Sequence, residues 1–324
     1  MAIADPAAAR PDPRPAPTAP PVASRSGPPR GAAEDVDLPR GWRNLFRVWP
    51  AISVGAMLLA PLVLSPAAWG RVVHDELGVL ELLTVAYLVP VVGIMVWLAT
   101  RRRGAGRPAP LPGPARLWFA GLAVAAFYFM GEEASWGQHL LGFEPPASVA
   151  ANNLQGEFNL HNADAWYHDL LNEVPRTLAG VACVAGAGVL PWLVRDRRRR
   201  AHAPQRSWFW VVPTTALVFP GLLAWGWNLP EKIIDDAAWA AEGSWAYYAL
   251  VAAADEAKEY LLALTLLLYG ISVAVRYRRW SAVERDWGSR ETRRRRSRRA
   301  APSPRRTSAG NPCGAAAAAS GPST

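Results

Sequence analysis

Cysteine is nearly absent: Cys183 and Cys313 are the two in 324 residues. One falls in an apolar run and the other in a polar tail, which excludes a disulfide framework and a thiolate metal site. Also missing is the even spread of apolar residues that soluble domains need. They gather instead in blocks of roughly twenty, the length that crosses about 30 Å of hydrocarbon. No apolar core follows the first residues, so a secretory signal peptide is not expected there. Residues 1–38, rich in Pro, Ala and Arg, lack apolar periodicity altogether. Such a segment cannot bury enough surface to offset its ordering entropy and is expected to be disordered.

Six apolar runs follow, and they predict an all-α polytopic membrane bundle. The expected spans are 48–69, 77–100, 117–138, 177–194, 208–227 and 246–275. Pro90, Pro213 and Pro220 fall inside spans, where neighbouring helices can satisfy the freed backbone groups. The transmembrane domain is therefore read as 39–279, with a long loop at 143–175 between the third and fourth spans. A basic tail, 280–324, is expected to be disordered.

The net charge of +9 comes almost wholly from arginine, and its placement predicts the topology. With both termini and the loops 101–116 and 195–207 on one side, that side carries 31 Lys+Arg and the other carries 3. The positive-inside rule then puts both termini in the cytoplasm of a multi-pass protein of the inner (plasma) membrane. The run Arg293–Arg296 with Arg298 and Arg299 has no interleaved aromatics and no folded nucleic-acid module. Its expected partner is anionic lipid at the bilayer surface, not nucleic acid.

Against this apolar background one stretch stands out: Gly131-Glu132-Glu133-Ala134-Ser135-Trp136-Gly137-Gln138-His139. Ionisable residues within a bilayer are expensive and mark functional sites. Counting from the nearest cytoplasmic arginine, Glu133 and Glu259 each lie seventeen residues away and Glu81 twenty. At 1.5 Å per residue that places all three carboxylates about 25–30 Å from the inner boundary. Three helices thus predict one shared site near the outer edge of the hydrocarbon. Helical spacing puts Glu132 with His139, and Glu256 with Glu259, on common faces. Glu132, not Glu133, is expected at the centre of the site, because His139 shares its face. A second polar cluster, Asn152 to Asn162, would act as a lid. If helical, the long loop at 143–175 would align Glu157, His161, Asp164 and His168 on one face.

Gly131-Glu132-Glu133-x-Ser135-Trp136-Gly137-Gln138, followed by Asn153-x-Gln155-x-Glu157-x-Asn159-Leu160-His161-Asn162, resembles a family of uncharacterised bacterial polytopic membrane proteins. The resemblance spans roughly residues 70 to 275. It implies a helical membrane fold and the same choice of residues, and brings no activity with it.

Carboxylates and imidazoles are oxygen and nitrogen ligands suited to zinc or manganese. A metal-dependent hydrolase or transferase acting on a lipid-like substrate is the first expectation. Its metal ligands would be His139, His161, Glu259 and Glu81, and its catalytic carboxylates Glu132, Glu133, Glu157 and Glu256. A proton- or cation-coupled transporter or channel is the alternative, although no inverted repeat is apparent and the acids lie at one end of the bundle. A structural or sensory membrane subunit is the third.

Overall fold

The computed structural model describes residues 38–73, 78–101, 110–160, 162, 163, 174–198, 203–227, 229, 233 and 243–300. The N-terminal segment expected to be disordered, and the last residues of the C-terminal one, lie outside these. Among the described residues there is no β-strand, and six helices are long and apolar enough to cross a membrane. The spanning helices are α1 (Arg40–Val63), α3 (Val79–Thr100), α4 (Gly113–Glu133), α5 (Thr177–Arg198), α6 (Ser207–Gly226) and α7 (Ala254–Ala300); a short α2 (Pro66–Val73) follows α1.

Proline and serine set several of the ends. Ser65 accepts the Ala68 N–H with its side-chain oxygen at 3.2 Å, and Pro66 opens α2 where a missing N–H does no harm. Pro112 and Pro114 start α4 in the same way. Pro50 and Pro61 sit within α1.

The bundle is organised around α7. Of its apolar window 72 % is buried, against 22–28 % for α1, α3, α4 and α5, so it forms the central post while the others face outward. Leu88, Val91, Met95 and Leu98 of α3 and Leu261, Leu264 and Leu268 of α7 are wholly enclosed in the core. α3 packs against both α4 and α7, and α6 lies between α5 and α7. Gly221 of α6 rests on Ala187 of α5; a Cβ at 221 would come within 2.4 Å of the alanine methyl, so the close approach requires glycine. Leu62, Leu117, Val124, Leu178 and Leu193 point outward, as lipid-facing side chains do.

The two ends of the bundle differ in charge. At one, Arg116 donates to the Ala99 carbonyl at 2.8 Å and Arg198 to the Phe209 and Pro213 carbonyls at 3.2 and 2.9 Å. Arg276, fully buried, also donates to the Phe209 carbonyl and lies 4.7 Å over that phenyl ring. The opposite end, where α4 finishes and α7 begins, carries the carboxylates.

Several expected boundaries move. The first span is Arg40–Val63, not 48–69, with α2 a separate helix after it, and α7 opens at Ala254, not at 246. The third span stops at Glu133, not at 138, because the chain leaves helical geometry immediately afterwards. The sixth does not give way to an irregular tail at 280: α7 runs unbroken to Ala300, with Trp280 and Ser281 still buried. Arginine and alanine are strong helix formers, and an Asp286–Arg290 ion pair at 2.9 Å has the i, i+4 spacing that supports an exposed helix.

Candidate functional site

At the end of α4 the chain turns through three consecutive residues with positive φ: Ser135 (41°), Trp136 (50°) and Gly137 (86°). Left-handed backbone is unfavourable for serine and tryptophan, so other contacts must hold it. The Trp136 ring folds back onto Gly131, where a Cβ would approach the indole to 2.8 Å. Its indole N–H donates to Glu132 Oε1 at 2.7 Å. The other oxygen of that carboxylate, Oε2, accepts the backbone N–H of Leu160 at 2.7 Å. One side chain thus ties the turn to a loop 28 residues further on.

The loop is built to meet it. Asn153 Oδ1 accepts the N–H groups of Gln155 and Glu157 at 2.9 and 3.1 Å, an asparagine-nucleated turn. Its Nδ2 donates to the Asn159 carbonyl and Oδ1 at 2.9 and 2.8 Å. The Asn153–Ala163 bridge and the bond from Leu154 N–H to the Asn162 carbonyl at 2.8 Å close the base. Glu157 then reaches back to the turn: its Oε2 accepts from Ser135 Oγ at 2.9 Å and from Asn159 Nδ2, and its Oε1 lies 3.3 Å from His139 Nε2. Gln138 Oε1 accepts the Phe158 N–H at 2.6 Å. Glu132, Ser135, Asn153, Glu157 and Asn159 are all buried, and their bonds join into one lock between turn and loop.

Glu133 goes elsewhere. It and Glu132 are separated by the 100° step of a helix, so they face different neighbours. Glu133 faces α7, and oxygens of Glu133, Glu256 and Glu259 all lie within 4.8 Å of one another. Glu133 is buried and the other two are half-buried. Glu256 and Glu259 are one turn apart on α7, as the i, i+3 spacing requires. Three carboxylate oxygens at this separation can ligate one divalent cation.

The expected site residues therefore divide. Glu133, Glu256 and Glu259 come together. Glu132, expected at the centre, belongs to the lock, and so does Glu157. His139 does not share a helical face with Glu132, because the helix has ended between them; it meets Glu157 instead. Glu81 sits half-buried in the first turn of α3, outside the carboxylate trio. His161, Asp164 and His168 lie outside the described residues, and Glu157 is not in a helix, so the expected loop-helix face is not formed at its first member. Asp255, next to the trio in sequence, is exposed. The structural parts played by Ser135, Trp136, Gln138, Asn153 and Asn159 were not expected from sequence. The visible signal for Asn153 and Asn159 was the density of Asn, Gln and Gly between residues 152 and 162.

Comparison of the chain with protein-family models, with curated proteins and with solved structures finds no match.

Proposed function

We propose that the chain is a metal-dependent membrane hydrolase or transferase that binds a divalent cation through Glu133, Glu256 and Glu259 and acts on a lipid-like substrate. The observation that carries this reading is the convergence of three carboxylates, from two spans, within 4.8 Å at one end of an apolar bundle. Negative charges so close repel one another unless a counter-charge joins them. Keeping one carboxylate ionised inside a bilayer costs about 2.5–3.5 kcal/mol on the insertion scale, which adds to the demand. A divalent cation supplies the counter-charge, together with a Lewis acid that polarises an ester, amide or phosphoryl oxygen. Of the two ions expected from sequence, manganese suits an oxygen-only donor set better than zinc does. The trio terminates α4 and opens α7, a level where the polar linkages of a lipid lie and a wholly soluble substrate has less reason to be.

The orientation belongs to the same proposal. With both termini in the cytoplasm of the plasma membrane, 31 Lys+Arg lie inside and 3 outside, and the trio opens outward. The arginine end of the bundle then faces the anionic leaflet, which supports the expected attraction of the basic C-terminal segment to lipid. In a chain freed of Cys183 and Cys313, a cysteine at the exposed Leu154 should react with an impermeant reagent in intact cells, and one at Gln205 should not. The reverse pattern would turn the site inward.

The chemistry is tested on detergent-purified protein by elemental analysis and Mn²⁺ titration. Stoichiometric binding, lost in Glu133→Gln and Glu259→Gln, supports the reading. A protein that binds no Mn²⁺, and whose proteoliposomes pass protons or cations, overturns it in favour of transport.

A further inference from the structure

A cavity of about 130 Å³ lies at the end of the bundle where α1 finishes and the chain leads into α7. Pro61 and Leu64 at the end of α1, Pro66 and Trp69 of α2, and Trp245 and Tyr248 ahead of α7 form its walls. The indole rings are fixed by backbone groups across the cavity. The Trp69 N–H donates to the Tyr248 carbonyl at 3.0 Å, and the Trp245 N–H to the Leu58 carbonyl at 2.9 Å. Tyr248 sits in a π-helical turn, Tyr247–Val251, an irregularity frequent at functional sites. Aromatic residues at the ends of spanning helices commonly serve as interfacial anchors, with their rings turned to the headgroups. Trp69 is not placed that way, being 3 % exposed, while Trp245, at 43 %, is reached from outside.

What these walls can bind follows from the groups they leave available. Both indole N–H groups are engaged by carbonyls, the prolines have no N–H, and none of the described lining residues is charged. The faces of three aromatic rings remain, and each carries negative potential. A primary ammonium would bring N–H groups that need acceptors and would lose its hydration here. A quaternary ammonium has no N–H to satisfy, spreads its charge over methyl groups and is held by aromatic faces. Size agrees: a cavity of about 150 Å³ takes a six-carbon ring, and a trimethylammonium group with its first methylene has one heavy atom fewer. An acyl chain would call for aliphatic walls, yet Leu64 is the one branched aliphatic side chain among the described lining residues. We propose that this cavity binds a quaternary ammonium group of the choline type, with Trp69, Trp245 and Tyr248 as its aromatic cage. The group can arrive as the headgroup of a choline lipid or as a free solute. The cage stands apart from the carboxylate trio and does not rest on it.

The experiment uses the full chain in a maltoside detergent, which carries no choline, with choline as probe. Calorimetric titration compares choline with its uncharged analogue, in which carbon replaces the quaternary nitrogen. The native protein should bind choline at least about 10-fold more tightly than the analogue. Tyr248→Phe keeps the ring and should bind within about 2-fold of native, whereas Tyr248→Leu and Trp245→Leu should each weaken binding by about 5–30-fold. Absence of saturable choline binding overturns the proposal. So does equal affinity for the analogue, which would make the site a plain apolar cavity. A loss in Tyr248→Phe as large as in Tyr248→Leu also overturns it, because the hydroxyl and not the ring would then be the contact. If the leucine variants do not fold, the comparison of choline with its analogue on native protein decides. Nanodiscs then separate the sources: phosphatidylcholine that competes with choline, where phosphatidylglycerol does not, assigns the cage to a lipid headgroup. Choline binding indifferent to phosphatidylcholine assigns it to a free solute.

Discussion

Glu132 and Glu133 follow one another in the chain, end the same helix and are buried to a similar degree, yet they live in opposite chemistry. Glu132 meets donors: an indole N–H and a backbone N–H take one oxygen each, both at 2.7 Å. Glu133 meets other carboxylates, those of Glu256 and Glu259. The first environment is that of a structural group, whose charge is consumed in hydrogen bonds that hold a loop. The second is an acidic cluster, the geometry on which the proposed cation site rests. Two adjacent acids thus enter two different environments, separated by one helical step.

The comparison breaks most visibly at Glu132. Glu132→Ala leaves two donors without their acceptor, at about 1–3 kcal/mol for each that stays buried, and should lower the thermal midpoint in detergent more than any change in the trio does. Glu133→Gln inverts the result: a fall in Mn²⁺ affinity of about 100-fold, equivalent to about 2.7 kcal/mol, with a melting temperature in cation-free buffer no lower than native. If Glu133→Gln melts early and binds normally, the roles of the two residues are exchanged. Gly131→Ala tests the turn without touching a carboxylate. Its new methyl meets the Trp136 ring, and overpacking of this kind costs about 1–3 kcal/mol, read as a lower unfolding midpoint. Smallest of all is Asp255→Asn, an exposed acid beside the trio, which should change stability by no more than about 0.5 kcal/mol and leave Mn²⁺ binding alone. A large effect there would extend the proposed cation site onto a residue that the geometry leaves outside it.

The lock also accounts for the motif that draws the eye in the sequence. Ser135, Trp136, Gln138, Asn153, Glu157 and Asn159 look like a catalytic inventory, yet their side chains satisfy one another and the backbone of two turns. Their residue types were legible, and so was the end of the bundle they occupy. Their task was not, because a hydrogen bond between Ser135 and Glu157, 22 residues apart, leaves no periodic trace. Counting along unbroken helices put Glu81, Glu133 and Glu259 at one level; Glu133 and Glu259 do come together, with Glu256, while Glu81 is not in that group, because rise per residue fixes height along a helix and not the face. The same reasoning failed for Glu132 and His139, because it carried helical spacing across a break at residues 134–137.

What the sequence by itself determined is what local chemistry decides: six apolar runs long enough to cross a bilayer, their all-helical state, and a polar end where α4 finishes and α7 begins. Hydrophobic length and charge placement are properties of each segment alone, so no partner is needed to read them. What the tertiary structure decided is direction and neighbour. It made α7 the central post, carried that helix through residue 300, stopped α4 at Glu133, and sent one glutamate of an adjacent pair into a loop and the other onto α7. The physical reason is that a helix end is settled by the groups that satisfy it. Here the deciding group, the N–H of Leu160, arrives from 28 residues away.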